Sequence, residues 1–294
     1  MSQAPSAPLK MHPVIYLNKN MLDAARARIA PVSSALLYGR GVFTTAAIYA
    51  GRPFLWPEHW ARLMDHADRA GVDRRSFDGA AVGTCLKKLI AVNRVQDGRA
   101  RVVLLAGKGR DVWIARSSST RKTDFLMMTG EARLVPADGL TLTVSPYRVN
   151  SVSPLAGVKS ISSLERVLAW EEARARDFHE AIMLNERGEV ASTTRANVFW
   201  VKEGTVHTPS PATGLVAGIT RERIIALARE LSIPLVEGVY ELNDLTDAEE
   251  VFLTSADLGV GVVNTFDFHR YALTAGSVTT ILREGFRQLT LAGE

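Results

Sequence analysis

The sequence predicts a mixed α/β protein, of the α+β kind, with two domains and a largely antiparallel sheet. Its 294 residues exceed the roughly 100 to 200 residues of a single domain. Hydrophobic residues make up 47% and charged residues 22% of the chain, which is ordinary globular usage and excludes disordered and collagen-like classes. Strand-like and helix-like segments alternate irregularly with hairpin turns, which favours antiparallel over doubly wound parallel sheet.

The first half of the chain contains hairpin and helix signals. Pro57 suits the first position of a helix, and the apolar residues after it recur at helical spacing. The predicted elements are strands at 14–17, 41–49 and 53–56, helices at 57–70 and 77–93, strands at 101–106 and 123–129, and a weaker strand at 112–115.

A charged, turn-forming segment separates the two halves and predicts the domain boundary. We predict a disordered tail at 1–12, a small N-terminal domain at 13–131, an interdomain linker at 132–139 and a C-terminal domain at 140–294. The elements predicted in the C-terminal domain are strands at 140–147, 181–184, 197–201, 205–208, 234–236 and 251–254, and helices at 162–177, 218–231 and 277–291.

Composition also bounds the compartment and the partners. The single cysteine, Cys85, cannot form an internal disulfide, which favours a reducing, cytoplasmic setting. No apolar run reaches the ~20 residues that span a bilayer, and the N-terminus lacks a signal-peptide pattern, so we expect a soluble protein without a membrane partner. The net charge of +4 is spread over interleaved basic and acidic residues, which argues against a nucleic-acid partner. The scattered histidines predict no metal site.

Lys159 is the most informative single residue. It follows a largely apolar stretch, residues 154–158, and has no adjacent carboxylate. Burial disfavours the charged form of an amine and lowers its pKa, and a neutral amine can attack a carbonyl to form a Schiff base. The alternative is a solvated lysine at a strand-to-helix junction, and the local sequence leaves both open.

Two further segments could bind an anion. Residues 214–221 form a glycine-containing loop that leads into a helix, whose first N–H groups and dipole favour an anion such as phosphate. A plain loop with Thr220 as helix N-cap is an equal alternative. His59 and Arg62 share a helix face from which Arg62 could reach a phosphate, although a packing histidine and a solvated arginine fit the same pattern.

A series of motifs follows one order along the chain. The motifs are Tyr38-Gly39-x-Gly41-Val42-Phe43-Thr44-Thr45, His59-x-x-Arg62-Leu63, Lys159 before a helix, Asn197-Val198-Phe199-Trp200, Thr208-Pro209, Gly214, Gly218-Ile219-Thr220-Arg221 and Val251-Phe252-Leu253-Thr254-Ser255. Together they resemble the class IV, fold-type IV pyridoxal-phosphate enzymes, which include branched-chain aminotransferases, D-amino acid aminotransferases and aminodeoxychorismate lyases. The resemblance covers about residues 14–263 and implies a small N-terminal α/β domain, a larger barrel-like C-terminal domain and a homodimer.

The resemblance also implies pyridoxal 5′-phosphate as the cofactor. Lys159 would hold it as a Schiff base and move a proton between the substrate and the cofactor. The residues expected to bind the cofactor are Arg62, Lys159, Ser192, Asn197, Gly218, Ile219, Thr220, Thr254 and Ser255. The run 43–46 looks more like the lyase branch, which makes Thr44 a candidate catalytic hydroxyl.

One departure from the family pattern affects the chemistry directly. Five residues before Asn197 the family carries a glutamate that pairs with the protonated pyridine nitrogen, and here that position is Ser192. We expect a weaker electron sink, because a neutral hydroxyl replaces an anionic partner. Glu189 lies three residues away with its side chain on the other face, so we expect it not to compensate, whereas Arg195 or a bound water could.

Three functions follow from these observations. The leading hypothesis is a pyridoxal-phosphate-dependent aminotransferase that moves an amino group between a small amino acid and a 2-oxo acid through Lys159. The alternative is an aminodeoxychorismate lyase that releases pyruvate and 4-aminobenzoate. The third is a cofactor-binding relative with weak or no turnover, because Ser192 replaces the glutamate.

Overall fold

The computed structural model describes residues 10–107, 123–272 and 274–292. The chain divides into two compact units, Met1–Arg133 and Leu134–Glu294. The division falls inside the interval predicted as the linker, 132–139. The strand predicted at 112–115 and the first nine residues of the predicted tail lie outside the described residues.

The first unit is a helix-covered sheet. Its strands are β1 (Val14–Leu17), β2 (Asn20–Asp23), β3 (Gly41–Tyr49), β4 (Arg52–Pro53), β5 (Gly98–Ala106) and β6 (Thr123–Glu131). Its helices are α1 (Ser34–Tyr38), α2 (Trp56–Arg69) and α3 (Gly79–Val92). In the described residues the strands form one antiparallel sheet in the order β2-β1-β6-β5-β3-β4, and α2 packs on β3.

Helix α2 shows how local sequence positions a candidate site residue. Pro57 lies in its first turn, as predicted. Its buried residues, His59, Leu63, His66 and Ala67, recur at the spacing of one helix face. The helix therefore turns His59 towards the sheet, with Arg62 beside it.

The predicted tail extends too far. His12 donates its backbone N–H to the Thr129 carbonyl at 2.9 Å, and Met11 forms a bridge with Gly130. The Glu131 backbone N–H donates to the Lys10 carbonyl, and the Lys10 N–H donates to the Glu131 carboxylate. These three residues continue the pairing along β6. The pairing is favourable because it gives hydrogen-bond partners to backbone N–H and C=O groups that would otherwise lack them.

The second unit is built on a larger sheet. Its strands are β7 (Leu140–Val149), β8 (Glu180–Asn185), β9 (Val190–Thr193), β10 (Asn197–Lys202), β11 (Thr205–Pro209), β12 (Leu235–Gly238), β13 (Glu250–Ser255), β14 (Gly259–Phe266) and β15 (His269–Arg270). Its helices are α4 (Leu164–Ala175), α5 (Ile219–Glu230), α6 (Leu242–Thr246) and α7 (Val278–Ala292). Within the described residues the order is β12-β11-β10-β13-β14-β7-β8-β9, with β15 beside β14.

Pairing in this sheet is mixed. Strand β7 pairs in parallel with both β8 and β14, and β11 with β12, whereas the other pairs are antiparallel. Strand β10 lies near the middle and is buried on both faces, which explains its continuous apolar run. On one face Phe199 stacks on its register partner Phe252 with ring centroids 5.0 Å apart. The predicted mixed fold is confirmed.

Six of these elements were missing from the sequence prediction, namely β2, α1, β9, α6, β14 and β15. Helix α1 spans only five residues, too few for a helical period, and is stabilised by the Ser33 hydroxyl, which accepts from the Leu36 N–H at 3.2 Å. Strand β9 spans four residues, all of them buried. Strand β9 carries Ser192, so the omission affects the candidate site.

Candidate active site

Lys159 lies in the turn-rich connection between β7 and α4, the junction predicted for it. The turns are closed by the Ala156 N–H on the Ser153 carbonyl at 2.9 Å and by the Val158 N–H on the Leu155 carbonyl at 3.0 Å. Val158 is buried and Lys159 is half-buried. Lys159 therefore follows a buried residue and lies five positions before the first residue of α4.

The loop that ends at Gly218 leads into α5 without a side-chain cap. Gly218 is the N-cap residue of α5, and no side chain of the described residues caps the first N–H groups of this 12-residue helix. The alternative with Thr220 as N-cap is therefore wrong, since Thr220 lies inside the first turn. An uncapped helix start presents N–H donors and the positive end of the dipole, which together suit a phosphate.

Asn197 holds this loop in place. Its side-chain Nδ2 donates to the Val216 carbonyl at 3.0 Å. A Cβ added at Gly218 would lie only 2.3 Å from Asn197 Oδ1, so glycine is required by close approach. Gly214 is required for a different reason, because its φ of +87° lies in the left-handed region.

Thr254 adds a buried hydroxyl to the same sheet. In the β10–β13 register Thr254 is the partner of Asn197. Its side chain is 1% exposed, and its Oγ1 has no hydrogen-bond partner among the described residues. A buried hydroxyl without a partner costs free energy unless a ligand satisfies it. Ser255, the next residue, accepts from the Leu258 N–H at 3.2 Å.

Ser192 is bound by an arginine that sequence reasoning missed. Its hydroxyl oxygen accepts a hydrogen bond from Arg166 Nη1 at 3.2 Å. A signal for Arg166 was present in the sequence, because it begins the stripe of α4 that continues with the buried Ala169 and Ala173. An arginine on a buried stripe indicates a specific partner.

The two residues considered as substitutes for the missing glutamate are bound elsewhere. Arg195 donates from Nε and Nη2 to the fully buried Glu180, each at 2.9 Å. The Glu189 carboxylate accepts from Arg187 and from Asn185, each at 2.7 Å. Among the hydrogen bonds of the described residues, neither Arg195 nor Glu189 reaches Ser192.

The first unit contains its own cluster around Thr44. The Thr44 hydroxyl, which is fully buried, lies 2.7 Å from His59 Nδ1. It also accepts from Arg62 Nη2 at 3.2 Å. Burial lowers the pKa of Arg62 to about 10, which leaves the guanidinium charged at neutral pH. Thr44 thus contacts Arg62 directly, and the candidate hydroxyl and the candidate phosphate ligand form one cluster with His59.

The structure places four candidate residues of the second unit on adjoining elements: Ser192, Asn197, Gly218 and Thr254. The Thr193 N–H donates to the Ala196 carbonyl at 2.9 Å, and this closes the turn that carries Ser192 on one side and Asn197 on the other.

No group of three His, Cys, Asp or Glu side chains in the described ranges could hold a metal ion. Nor does any helix described there have the length and apolar character to cross a membrane.

Comparison with known proteins gives a consistent result. The family model described as amino-transferase class IV matches residues 41–265. A protein of Methanocaldococcus jannaschii named "Putative branched-chain-amino-acid aminotransferase" is 32% identical over 281 residues, which are 94% of this chain and 96% of that protein. The aminodeoxychorismate lyase of Bacillus subtilis is 30% identical over 277 residues, or 92% of each chain.

A solved structure shows the same fold. The branched-chain aminotransferase from Thermoproteus uzoniensis with norvaline matches with a TM-score of 0.88 and 25% identity, over 96% of both chains. The family resemblance deduced from the motifs is therefore confirmed. This chain belongs to the class IV aminotransferase family of pyridoxal-phosphate-dependent enzymes.

Proposed function

We propose that the protein is an aminotransferase that moves an amino group between a small amino acid and a 2-oxo acid. The observation that carries this proposal is the uncapped start of α5 at Gly218, on the loop held by Asn197. Such a start fits the dianionic phosphate of pyridoxal 5′-phosphate. When bound, this cofactor supplies an aldehyde that condenses with amines and a ring that accepts electrons.

Each candidate residue has a role in this proposal. Lys159 Nζ binds the cofactor covalently and carries a proton to and from the α-carbon of the amino acid. The Ile219 and Thr220 N–H groups donate to the phosphate, and the Thr254 hydroxyl, which lacks a partner among the described residues, is a further donor. Ser255 and Arg62 are proposed as phosphate ligands from the family resemblance.

Lys159 can be tested by chemical trapping. We expect the purified holoprotein to be yellow and to retain the cofactor on Lys159 after borohydride reduction, as mapped by peptide mass spectrometry. Lys159→Ala should abolish the adduct, whereas Lys88→Ala, which replaces an exposed lysine on α3, should leave it in place. An adduct on another lysine, or none, would contradict the proposal.

Transamination can be tested on the same holoprotein. Addition of an amino donor should shift the visible absorption band, and a 2-oxo acid should restore it. A panel of L- and D-amino acids identifies the donor and its stereochemistry. A band that no donor in the panel changes would exclude transamination.

A lyase activity is the second candidate, favoured by Thr44 and by the similarity to the lyase of Bacillus subtilis. In this reaction the Thr44 hydroxyl is the candidate catalytic group. If the protein is a lyase, it should release pyruvate and 4-aminobenzoate from aminodeoxychorismate without any added 2-oxo acid. Absence of both products would exclude it and leave the aminotransferase.

A further inference from the structure

The guanidinium of Arg166 holds the strand that carries Ser192. Its Nη1 donates to Ser192 Oγ at 3.2 Å and to the Thr193 carbonyl at 3.2 Å. Longer contacts reach the Thr194 carbonyl at 3.5 Å and Met183 Sδ at 3.9 Å. Three oxygens around one nitrogen fix the guanidinium against the end of β9.

The charge of Arg166 has no bonded carboxylate in the described part of the chain. The nearest buried acid, Glu180, accepts from Arg195 and from the Thr194 hydroxyl instead. Burial lowers the pKa of Arg166, and the negative charges of Glu165 and Glu180 partly oppose this effect. A positive charge therefore lies next to the Ser192 hydroxyl, on the side where its oxygen accepts a hydrogen bond.

This arrangement determines what the Ser192 hydroxyl can offer. A hydroxyl has one donor hydrogen and acceptor lone pairs, and a guanidinium can only donate. Ser192 Oγ must therefore accept from Arg166, which leaves its own hydrogen for another group. Ser192 is 3% exposed, and its hydrogen has no acceptor among the described residues. Ser192 therefore offers a hydrogen-bond donor whose oxygen is bonded to a positively charged guanidinium.

The position of Ser192 relates this donor to the cofactor site. Ser192 and Asn197 flank the turn that the Thr193–Ala196 hydrogen bond closes. Asn197 in turn abuts Gly218 at the start of α5 and pairs with Thr254. The donor therefore lies on β9, which contacts β10, the strand that carries Asn197 and pairs with β13, and it occupies a position where the sequence pattern expects an acid.

We propose that Ser192, positioned by Arg166, donates a hydrogen bond to the pyridine nitrogen of the cofactor and keeps that nitrogen unprotonated. The inference rests on the proposed cofactor site. A neutral pyridine nitrogen accepts a hydrogen bond, whereas a protonated one can only donate and would face the guanidinium charge. Arg166 is thus a positioning residue that acts through Ser192.

The protonation state of the nitrogen is measurable without turnover. Holoprotein loaded with ¹⁵N-labelled pyridoxal 5′-phosphate should show a ring-nitrogen resonance at the position of unprotonated pyridine between pH 6 and pH 9. Ser192→Glu should move it to the position of a protonated ring, because an anion now faces the nitrogen. A protonated signal in the natural protein would overturn the inference.

Arg166 is tested by the pH at which the nitrogen titrates. Arg166→Gln removes the positive charge and should raise this pH, while Arg166→Lys keeps the charge and should restore the natural value in large part. Arg176→Gln is the matched control, since Arg176 lies on the C-terminal end of the same helix and donates to the Thr143 hydroxyl and the Val144 carbonyl. No shift in Arg166→Gln beyond that of Arg176→Gln would refute the positioning role.

Ser192→Ala provides a separate readout. It should weaken cofactor binding to the apoprotein about two- to tenfold, the effect of one neutral hydrogen bond. The deaza analogue, in which a C–H replaces the ring nitrogen, should bind the natural protein no better than Ser192→Ala, because the C–H gives the buried Ser192 hydroxyl no acceptor. A natural protein that prefers the analogue would overturn the inference. Absence of any cofactor at Lys159 would instead disprove the proposed function.

Discussion

Thr44 connects the two polar side chains of the first unit. Its hydroxyl accepts from Arg62, so its own hydrogen or that of His59 forms the 2.7 Å bond between Thr44 Oγ1 and His59 Nδ1. Because this hydroxyl is fully buried and engaged on both sides, its geometry favours a role in orienting Arg62.

Substitution of Thr44 separates the orienting role from a catalytic one. Thr44→Val removes one hydrogen bond from each of its partners, the buried His59 and the half-buried Arg62, and should lower the free energy of unfolding by about 1–3 kcal/mol. If Thr44 orients Arg62, cofactor affinity should fall as well, as measured by titration of the apoprotein. Thr45→Val is the matched control, since Thr45 accepts from Arg101 Nε on the opposite face of β3. Unchanged affinity with reduced turnover in Thr44→Val would favour the catalytic role.

A pH effect at the residue scale is expected at Glu186. Hydrogen bonds from the Ser151 hydroxyl and backbone N–H lower the pKa of Glu186 to about 2. Since the pKa in the folded protein lies below that of an unfolded chain, about 4.3, the stabilisation is complete above about pH 4.3 and is lost as the pH falls towards 2.

Carbon-13 NMR of the Glu186 carboxyl group should give a titration midpoint near pH 2. Ser151→Ala should raise it only in part, because the backbone N–H of residue 151 and Arg187 remain as donors. Ser153→Ala, in the same turn region, should leave it unchanged. A midpoint near 4.3 in the natural protein would contradict the predicted interaction.

At the scale of elements, the start of α5 is defined by close packing against β10. Gly218 has an ordinary φ of −78°, so any residue could adopt its backbone conformation. The restriction comes from Asn197, whose Oδ1 occupies the space that a side chain would need. The helix can therefore approach the strand closely only with glycine at this position.

Gly218→Ala should disturb the start of α5 more than the fold. The added methyl must displace Asn197 or the first helical turn, and we expect cofactor affinity to fall about 10- to 100-fold, because charge-assisted hydrogen bonds to the phosphate are lost. Gly285→Ala on α7 is the control, since its methyl meets only the flexible end of Leu227, at 3.0 Å. Equal cofactor affinity for the two variants would argue against a phosphate at this helix start.

Element prediction succeeded for the helices with long periodicity, and it missed short elements such as β9 as well as the eight-residue strand β14. Helix α5 was predicted at 218–231 and lies at Ile219–Glu230, because its apolar positions recur over three turns. Strand β9 was missed because Val190–Thr193 has only four residues and two of them are polar. It forms a strand because β8 supplies the backbone partners, a contribution that local propensity does not contain.

For the whole molecule, we propose the homodimer that the family resemblance implies. Part of the first unit exposes large apolar side chains close together in sequence: Leu36, Leu37 and Tyr38 are between 49% and 60% exposed. Such clusters are commonly covered by a partner. Light scattering on the purified protein should give twice 32.1 kDa, or about 64 kDa. A mass near that of one chain at micromolar concentration would contradict the dimer.

The sequence alone predicted the family, the longer helices, most of the strands, the lysine before α4 and the glycine that begins α5. These features depend on residue type and local spacing, which are read along the chain. Only the tertiary structure decided that Ser192 Oγ meets Arg166, that Arg195 and Glu189 are bound elsewhere, and that Thr44 joins Arg62 to His59. The physical reason is that a hydrogen bond between distant residues requires two elements to pack at one distance and orientation, and local periodicity does not specify either.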